Sequence, residues 1–326
     1  MPELLEFEEP IGVLQKEIDA LSMLPVTAER EAEINSLRRR AEAIRADLYR
    51  SLTPWQRVLV ARHPARPSVL EYVNMLFTDF IEIHGDRHFG DDHAIVTGLA
   101  RYKGEPVLVV GHHKGGADTK QRIFRNFGYA RPEGYRKALR AMRMAEKFRR
   151  PVVVFVDTPA AYPGLESEQR GIAEAIAVNL REMAMLDVPV IVNVCGEGGS
   201  GGALGLAIGD RILMHEFAVY SVIPPEGCAA ILWRDSGRKV QAADALKLTA
   251  PDLLARGIID EIVAEPSGGA HTNPSAAATM LDGVLARALD DIGALSSGDR
   301  LERRYQKFRV MGRLGDAFID VAAAPE

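Results

Sequence analysis

The chain has 326 residues, 47% hydrophobic and 26% charged, with a net charge of −5, the balance of an ordinary globular protein with room for one large core. No apolar run approaches the ~20 residues needed to span a bilayer, and the acidic start MPELLEFEEP lacks the basic end and apolar centre of a signal peptide. Two cysteines, Cys195 and Cys228, exclude a disulfide framework or a four-cysteine zinc site within the chain, so a reducing cytoplasm is the expected setting.

The first sixty residues read as helical. Ile34, Leu37, Ala41, Ile44 and Leu48 alternate spacings of three and four, a short heptad seam amid charges. Thr53-Pro54 supplies a cap and first turn for a further helix over TPWQRVLVARHP. Together these form an arm that packs on its own core or on another subunit. Ser68 and Glu71 make a capping box that opens a helix through about Ile83. The segment HGDRHFGDDH, residues 84–93, gathers three histidines and three aspartates. Its spacing matches no strong metal-ligand pattern, so it reads as a polar loop joining helix to strand. AIVTGLARYKGEPVLVVG then holds two β-rich runs around Lys103-Gly104, a hairpin.

Charge is unevenly placed. Between Arg101 and Arg150 fourteen Lys/Arg face four Asp/Glu, an excess of ten that leaves −15 for the remainder. Part of it lies on a helix over PEGYRKALRAMRMAEKFRRP, with Pro132 in the first turn. Tyr135, Leu139, Met142 and Phe148 form its apolar stripe, and Arg136, Arg140, Arg143 and Lys147 lie off it. That face is either solvated or a footprint for an acidic partner or a phosphate-bearing substrate.

Strand–turn–helix units follow. VVVFVDTPAAYPG leads into GIAEAIAVNLREMAML, and VPVIVNVCGEGGSGG leads into a helix over ALGLAIGD. RILMHEFAVYSVIPPEGC comes next, then a helix near AADALKL. Gly257 ends a helix and IIDEIV returns as a strand. Continuously apolar strands separated by helices argue for an α/β protein with a largely parallel, covered sheet. From Pro266 to Glu326 the chain reads as a loop, SGGAHTNPS, and then as charged helix.

Several motifs compete for GEGGSGGALG, residues 196–205. Gly196, Gly198 and Gly201 satisfy G-x-G-x-x-G, with Glu216 twenty residues on, but no βαβ return of the usual length follows. A Walker loop fails because Gly202-Ala203 stands where Lys-Ser/Thr is required. Ser200 invites comparison with a nucleophile elbow, for which His215 or His271 would have to serve as base. AMRM, residues 141–144, carries Arg143 where a biotin acceptor needs lysine. What remains is the backbone: a strand ends, glycines turn the chain, and a helix starts at Ala203 or just before. N–H groups at such a start lack intrahelical partners and lie at a partial positive pole. Those of Gly201 and Gly202 can reach an oxygen at ~3 Å, which is an oxyanion hole. Close helix–strand packing at Gly198 or Gly205 is compatible with this. DTPAAYPG places a second side-chain-poor strand end beside the first, and two such ends facing one cleft suit a flat, planar ligand.

The order of blocks LEFEEPI, ARHPARP, GDR, DD, RNFGYARPEGYRKALRAMRMAEKF, DTPAAYPG, AEAIAVNLREM, GEGGSGGA, YSVIPPEGCAAILW, GGAHTNP and RRYQKF resembles the alpha subunits of bacterial acetyl-CoA carboxylase carboxyltransferase over nearly the whole chain. The resemblance implies a crotonase-like (ClpP/crotonase) domain of ββα repeats over 67–265. A helical N-terminal arm over 1–66 and a C-terminal loop and helical extension over 266–326 would flank it. It implies transfer of a carboxyl group from carboxybiotin, carried on the biotin carrier protein, to acetyl-CoA, giving malonyl-CoA for fatty acid synthesis. No cofactor would be bound covalently, and zinc would belong only to the partner beta subunit. The assembly would be a cytoplasmic α2β2 heterotetramer, with biotin carboxylase in the wider complex and neither nucleic acid nor membrane engaged. Gly201 and Gly202 would supply donors to the biotin oxygen. Gly198, Gly199, Ala160, Ala161, Tyr162, Pro163 and Gly164 would line the biotin side, and Arg136 and Arg140 would meet the carrier or CoA phosphates. A related acyl-CoA carboxyltransferase or decarboxylase, or a non-catalytic scaffold, would keep the same fold. A hydratase is disfavoured because no pair of glutamates occupies the strand ends, Glu197 being the nearby acid. Two positions depart from the family: Ala160 for the usual Gly and Pro224 for the usual Ser. If residue 160 needed positive φ, alanine there would cost ~1 kcal/mol.

Overall fold

The computed structural model describes residues 4–312; the helical expectation for 313–326 lies outside the described residues. The chain opens with α1 (Glu9–Ser22) and α2 (Ala28–Arg50), an antiparallel pair joined by a short turn. Ile11, Leu14 and Ile18 of α1 are buried, and the seam residues of α2 make that helix's inner face, with Ala41 fully covered. Tyr49 at the end of α2 donates to Glu8 at 2.8 Å and packs edge-on against Phe217. The arm therefore docks on its own core. Thr53 and Gln56 cap α3 (Pro54–Ala61) reciprocally.

The capping box at Ser68 and Glu71 does open a helix, α4 (Val69–Leu76), but that helix ends at Leu76 rather than near Ile83. FTDFIE becomes strand β1 (Phe77–Glu82), paired antiparallel with β2 (Ile95–Tyr102). The run is rich in β-branched and aromatic residues, and pairing across to β2 decides a segment whose local pattern is ambiguous. Segment 84–93 accordingly joins strand to strand. β3 (Glu105–His112) returns from β2 through Lys103 and Gly104, both at positive φ, as a two-residue hairpin with primed-turn geometry requires.

There follow α5 (Thr119–Phe124), α6 (Pro132–Lys147), β4 (Val152–Thr158), α7 (Leu165–Gln169), α8 (Ile172–Met185), β5 (Val190–Gly199) and α9 (Ser200–Leu204). Then come β6 (Arg211–His215), β7 (Val219–Ser221), α10 (Pro225–Trp233), α11 (Lys239–Leu246), α12 (Ala250–Ala255), β8 (Glu261–Val263), α13 (Pro274–Gly293) and α14 (Ser297–Val310). The strand order is β1-β2-β3-β4-β5-β6-β8, with β7 on the end of β5. Pairing is parallel from β3 onward and antiparallel before it.

Because strand side chains alternate, the apolar runs serve two cores at once. Val152, Val154, Val156, Val190, Val192 and Val194 face Tyr135 and Met142 of α6 and Met183 of α8. Val153, Phe155, Ile191 and Cys195 face Tyr72 of α4 and Leu281 and Leu285 of α13. Three further local expectations fail. Phe148 lies just past the end of α6 and is 59% exposed, so it is not part of the apolar stripe. ALGLAIGD is helical only to Leu204. The glycines at 196–199 extend β5 rather than turn the chain. Among the described residues no helix is long and apolar enough to cross a membrane.

Candidate functional site: a glycine corner between two strand ends

The ends of β4 and β5 lie side by side, with Thr158 in register with Gly198. A methyl group added at Gly199 would overlap the Pro159 carbonyl, and one at Gly202 would overlap the backbone of Ala160 and Ala161. One at Gly198 would press on Tyr220, and one at Gly205 on the Tyr135 ring. Gly199 and Gly202 thus let two backbones approach more closely than any side chain allows, and Gly198 and Gly205 seat the two tyrosine rings. Gly201 differs: its methyl would meet nothing nearer than Ile176 at 3.7 Å.

Ser200 makes the corner in the left-handed region, φ 50°, and takes the chain from β5 into α9, bringing the Gly201 and Gly202 peptides to the helix start. Tyr135 donates to the Gly202 carbonyl at 3.0 Å, and Gly205 N–H donates to the Gly201 carbonyl at 3.0 Å. Asn179 in turn donates to the carbonyls of Tyr135 and Gly205. The neighbouring segment after β4, residues 159–164, is equally fixed. Thr158 donates to the Gly128 and Ala160 carbonyls, Tyr162 N–H donates to Ala130, and the Arg131 guanidinium lies 4.8 Å from the centre of the Tyr162 ring. Ala160 is not at positive φ, so the strain considered for it does not arise. Pro224 sits at φ −65° before α10, a value its ring sets unaided. Beside the corner opens a groove of about 410 Å³ lined by Ser200, Gly201, Leu204, Tyr220, Val222 and Ile258, among others, and largely apolar.

Behind the corner lie charges that the sequence reading did not assemble. Lys114 reaches Asp157 at 2.7 Å and Glu197 at 3.2 Å, and Arg62 bridges Glu197 and Glu226 at 2.7 and 2.6 Å. Burial works against the Lys114 ammonium, but Asp157 and then Glu197 outweigh it and raise its pKa. Burial likewise opposes the Glu197 carboxylate, and Lys114 and Arg62 outweigh that and lower its pKa. Deeper, Arg66 forks onto Glu265 at 2.8 Å through both terminal nitrogens and donates to the Cys195 carbonyl. Burial would raise the Glu265 carboxyl, but Arg66 holds it at about 2. The visible signal was a charged residue closing each continuous apolar strand, VVVFVD and VNVCGE.

The competing motifs do not assemble. Gly196 and Gly198 lie inside a fully buried strand, where no pyrophosphate can reach. His215 is enclosed beside Tyr72 and Asn193, and burial lowers its pKa to about 4. His271 stacks on His63; among the described residues neither His215 nor His271 is hydrogen-bonded to Ser200. Arg143 pairs with Glu182 on the surface. Arg136 and Arg140 are engaged by segment 84–90: Arg136 bonds Asp86 and the Arg170 carbonyl, and Arg140 bonds the carbonyls of His84 and Gly85. Asp91 and Asp92 of that loop bind Lys137 and the Arg131 N–H. Among the described residues no His, Cys, Asp and Glu cluster of three or more could hold a metal ion.

The fold is the crotonase-like one expected from the sequence, and solved structures share it. The transcarboxylase 12S structure with methylmalonyl-coenzyme A bound superposes with a TM-score of 0.56 at 21% identity, covering 69% of this chain and 41% of that one. A Pseudomonas malonate decarboxylase hetero-tetramer superposes at 0.53 and 19% identity, covering 68% and 90%. The sequence narrows this class. The family model described as acetyl co-enzyme A carboxylase carboxyltransferase-like matches residues 4–312. The acetyl-coenzyme A carboxylase carboxyl transferase subunit alpha of Geobacter metallireducens is 55% identical over 96% of this chain and 98% of its own length. That of Halalkalibacterium halodurans is 52% identical over 94% and 95%. The chain belongs to the family of acetyl-CoA carboxylase carboxyltransferase alpha subunits, and is a subunit of a transferase.

Proposed function

We propose that this chain forms the biotin side of a carboxyltransferase site completed by a beta subunit. There a carboxyl group passes from carboxybiotin on the biotin carrier protein to acetyl-CoA, giving malonyl-CoA. The observation that carries this reading is the corner itself: two glycine peptides at a helix start, packed at Gly202 against a second strand end and opening at Gly201 onto an apolar groove. Carboxybiotin brings the activated carboxyl group, and the freed biotin nitrogen serves as base toward the acetyl group. The protein then needs hydrogen-bond donors and positioning rather than a nucleophile. The Gly201 and Gly202 N–H groups hold the ureido oxygen as negative charge develops on it. Gly198 and Gly199 and the 160–164 wall shape the flat slot. Glu197, held by Lys114 and Arg62, keeps the strand end in place and takes no proton.

The acyl-CoA side, a zinc site and most CoA contacts belong in this reading to the beta subunit, in a cytoplasmic α2β2 assembly served by biotin carboxylase. Arg136 and Arg140 are already hydrogen-bonded within this chain, which favours a structural role over carrier contact. Malonyl-CoA formation measured with this chain, the beta subunit and their mixture tests the shared site. Activity in the mixture alone is expected; activity of this chain by itself would overturn the reading.

A further inference from the structure

Charged side chains from five separate places in the chain meet behind the corner: Arg62 after α3, Lys114 after β3, Asp157 closing β4, Glu197 near the end of β5 and Glu226 opening α10. Glu197 and Asp157 are 7% and 8% exposed. They are also adjacent, because Asp157 Oδ1 accepts the Glu197 N–H at 2.9 Å. Gly196 leaves the room for this, since a side chain there would overlap the Asp157 carboxylate. Arg62 divides its guanidinium between Glu197 and Glu226. Lys114 is thus the cation standing between the two strand-end carboxylates.

We infer that Lys114 is a positioning residue for carboxyl transfer, tying β4 to β5 and neutralising the carboxylates behind the Gly201–Gly202 donors so that an anion can form in front of them. The inference rests on the function proposed above. Two carboxylates left facing each other behind an anion site oppose the charge that must develop there. Loss of the two ion pairs also removes a side-chain tie between the strand ends whose backbones set the donor positions. Both effects act on the reacting centre rather than on capture of acetyl-CoA, so they fall on kcat.

The test is steady-state malonyl-CoA formation by the assembled complex carrying Lys114→Met, Lys114→Arg, or Lys114→Met with Glu197→Gln, which restores the cluster's net charge. Lys114→Met is expected to lower kcat by about 30-fold or more, with KM for acetyl-CoA within about threefold. Lys114→Arg should stay within about fivefold of the parent, and the double variant should exceed the single by about fivefold or more. A kcat for Lys114→Met within about threefold of the parent overturns the inference. So does a loss that neither the arginine nor the double variant restores, since a purely structural strut would behave that way. If Lys114→Met does not assemble, Lys114→Arg decides: a kcat within about fivefold of the parent supports the inference and a larger loss overturns it. Absence of transfer by the parent mixture would instead remove the underlying reading, and this inference with it.

Discussion

Gly202→Ala is expected to lower carboxyl transfer by about 10²-fold in the assembled complex, the scale of loss when a reacting group is misplaced by about 1 Å. The added methyl would overlap the Ala160 carbonyl carbon and the Ala161 nitrogen. Both are backbone atoms, and their segment is tied down by Thr158 and by the Tyr162 bond to Ala130. Neither wall can yield without moving the other, so the donors shift relative to the slot. Overpacking of this kind costs about 1–3 kcal/mol of stability. Gly201→Ala is the control for stability alone, since Gly201 itself lines the groove. Its backbone is not at positive φ, the nearest atom is 3.7 Å away, and alanine in a helix gains about 0.5–1 kcal/mol over glycine. Unfolding curves of the two variants check the contrast in packing, and kcat of the Gly202 variant checks the loss of transfer. Equal destabilisation would show that close backbone approach at Gly202 does not set the corner.

Arg304→Met should destabilise the folded chain by about 3–5 kcal/mol, the range for breaking a buried ion pair from one side. Arg304 is 1% exposed and projects from α14 into the layer below α8. It donates to both Asp210 oxygens at 2.8 and 2.7 Å and to the carbonyls of Met183, Leu186 and Val188. Methionine fills much of the volume but leaves a buried carboxylate and three carbonyls without these donors. Lysine cannot reproduce the planar fork and should recover only part of the loss. Chemical denaturation measures this directly, and a change below about 1 kcal/mol would contradict it. The effect belongs to stability alone, because Asp210 and the three carbonyls stand apart from the glycine corner.

These two residues also show what sequence reveals and what it hides. The continuous valine runs of β4 and β5, the hairpin at Lys103-Gly104 and the caps at Thr53 and Ser68 are written in local chemistry, and the fold class follows from their order. FTDFIE was not legible as a strand because its partner, β2, decides the matter. The glycine stretch was legible as a site but not in its geometry. Whether such a run turns or stays extended depends on Asp157, Pro159 and Tyr220 lying against it, and composition does not record them. The Lys114–Glu197 pair joins residues 83 apart and the Arg304–Asp210 pair residues 94 apart. In sequence each of these side chains reads as one more surface charge. The basic helix was opaque for the same reason: Arg136 and Arg140 read as a solvated face or as a footprint for a partner, and the groups they bond, Asp86 and the carbonyls of His84 and Gly85, come from a loop about fifty residues earlier.

In the function proposed above, backbone N–H groups, not side chains, perform the chemistry contributed by this subunit. Replacing the Gly202 amide by an ester removes one hydrogen and adds no atom that could clash, and the same can be done at Gly201. The measurement is kcat for malonyl-CoA formation by the reconstituted complex carrying either ester, with assembly verified by size. A fall of about 10²–10³-fold in at least one of the two, with assembly intact, is the predicted result. Turnover within about threefold of the parent for both esters would contradict the claim and place the anion-stabilising donors elsewhere.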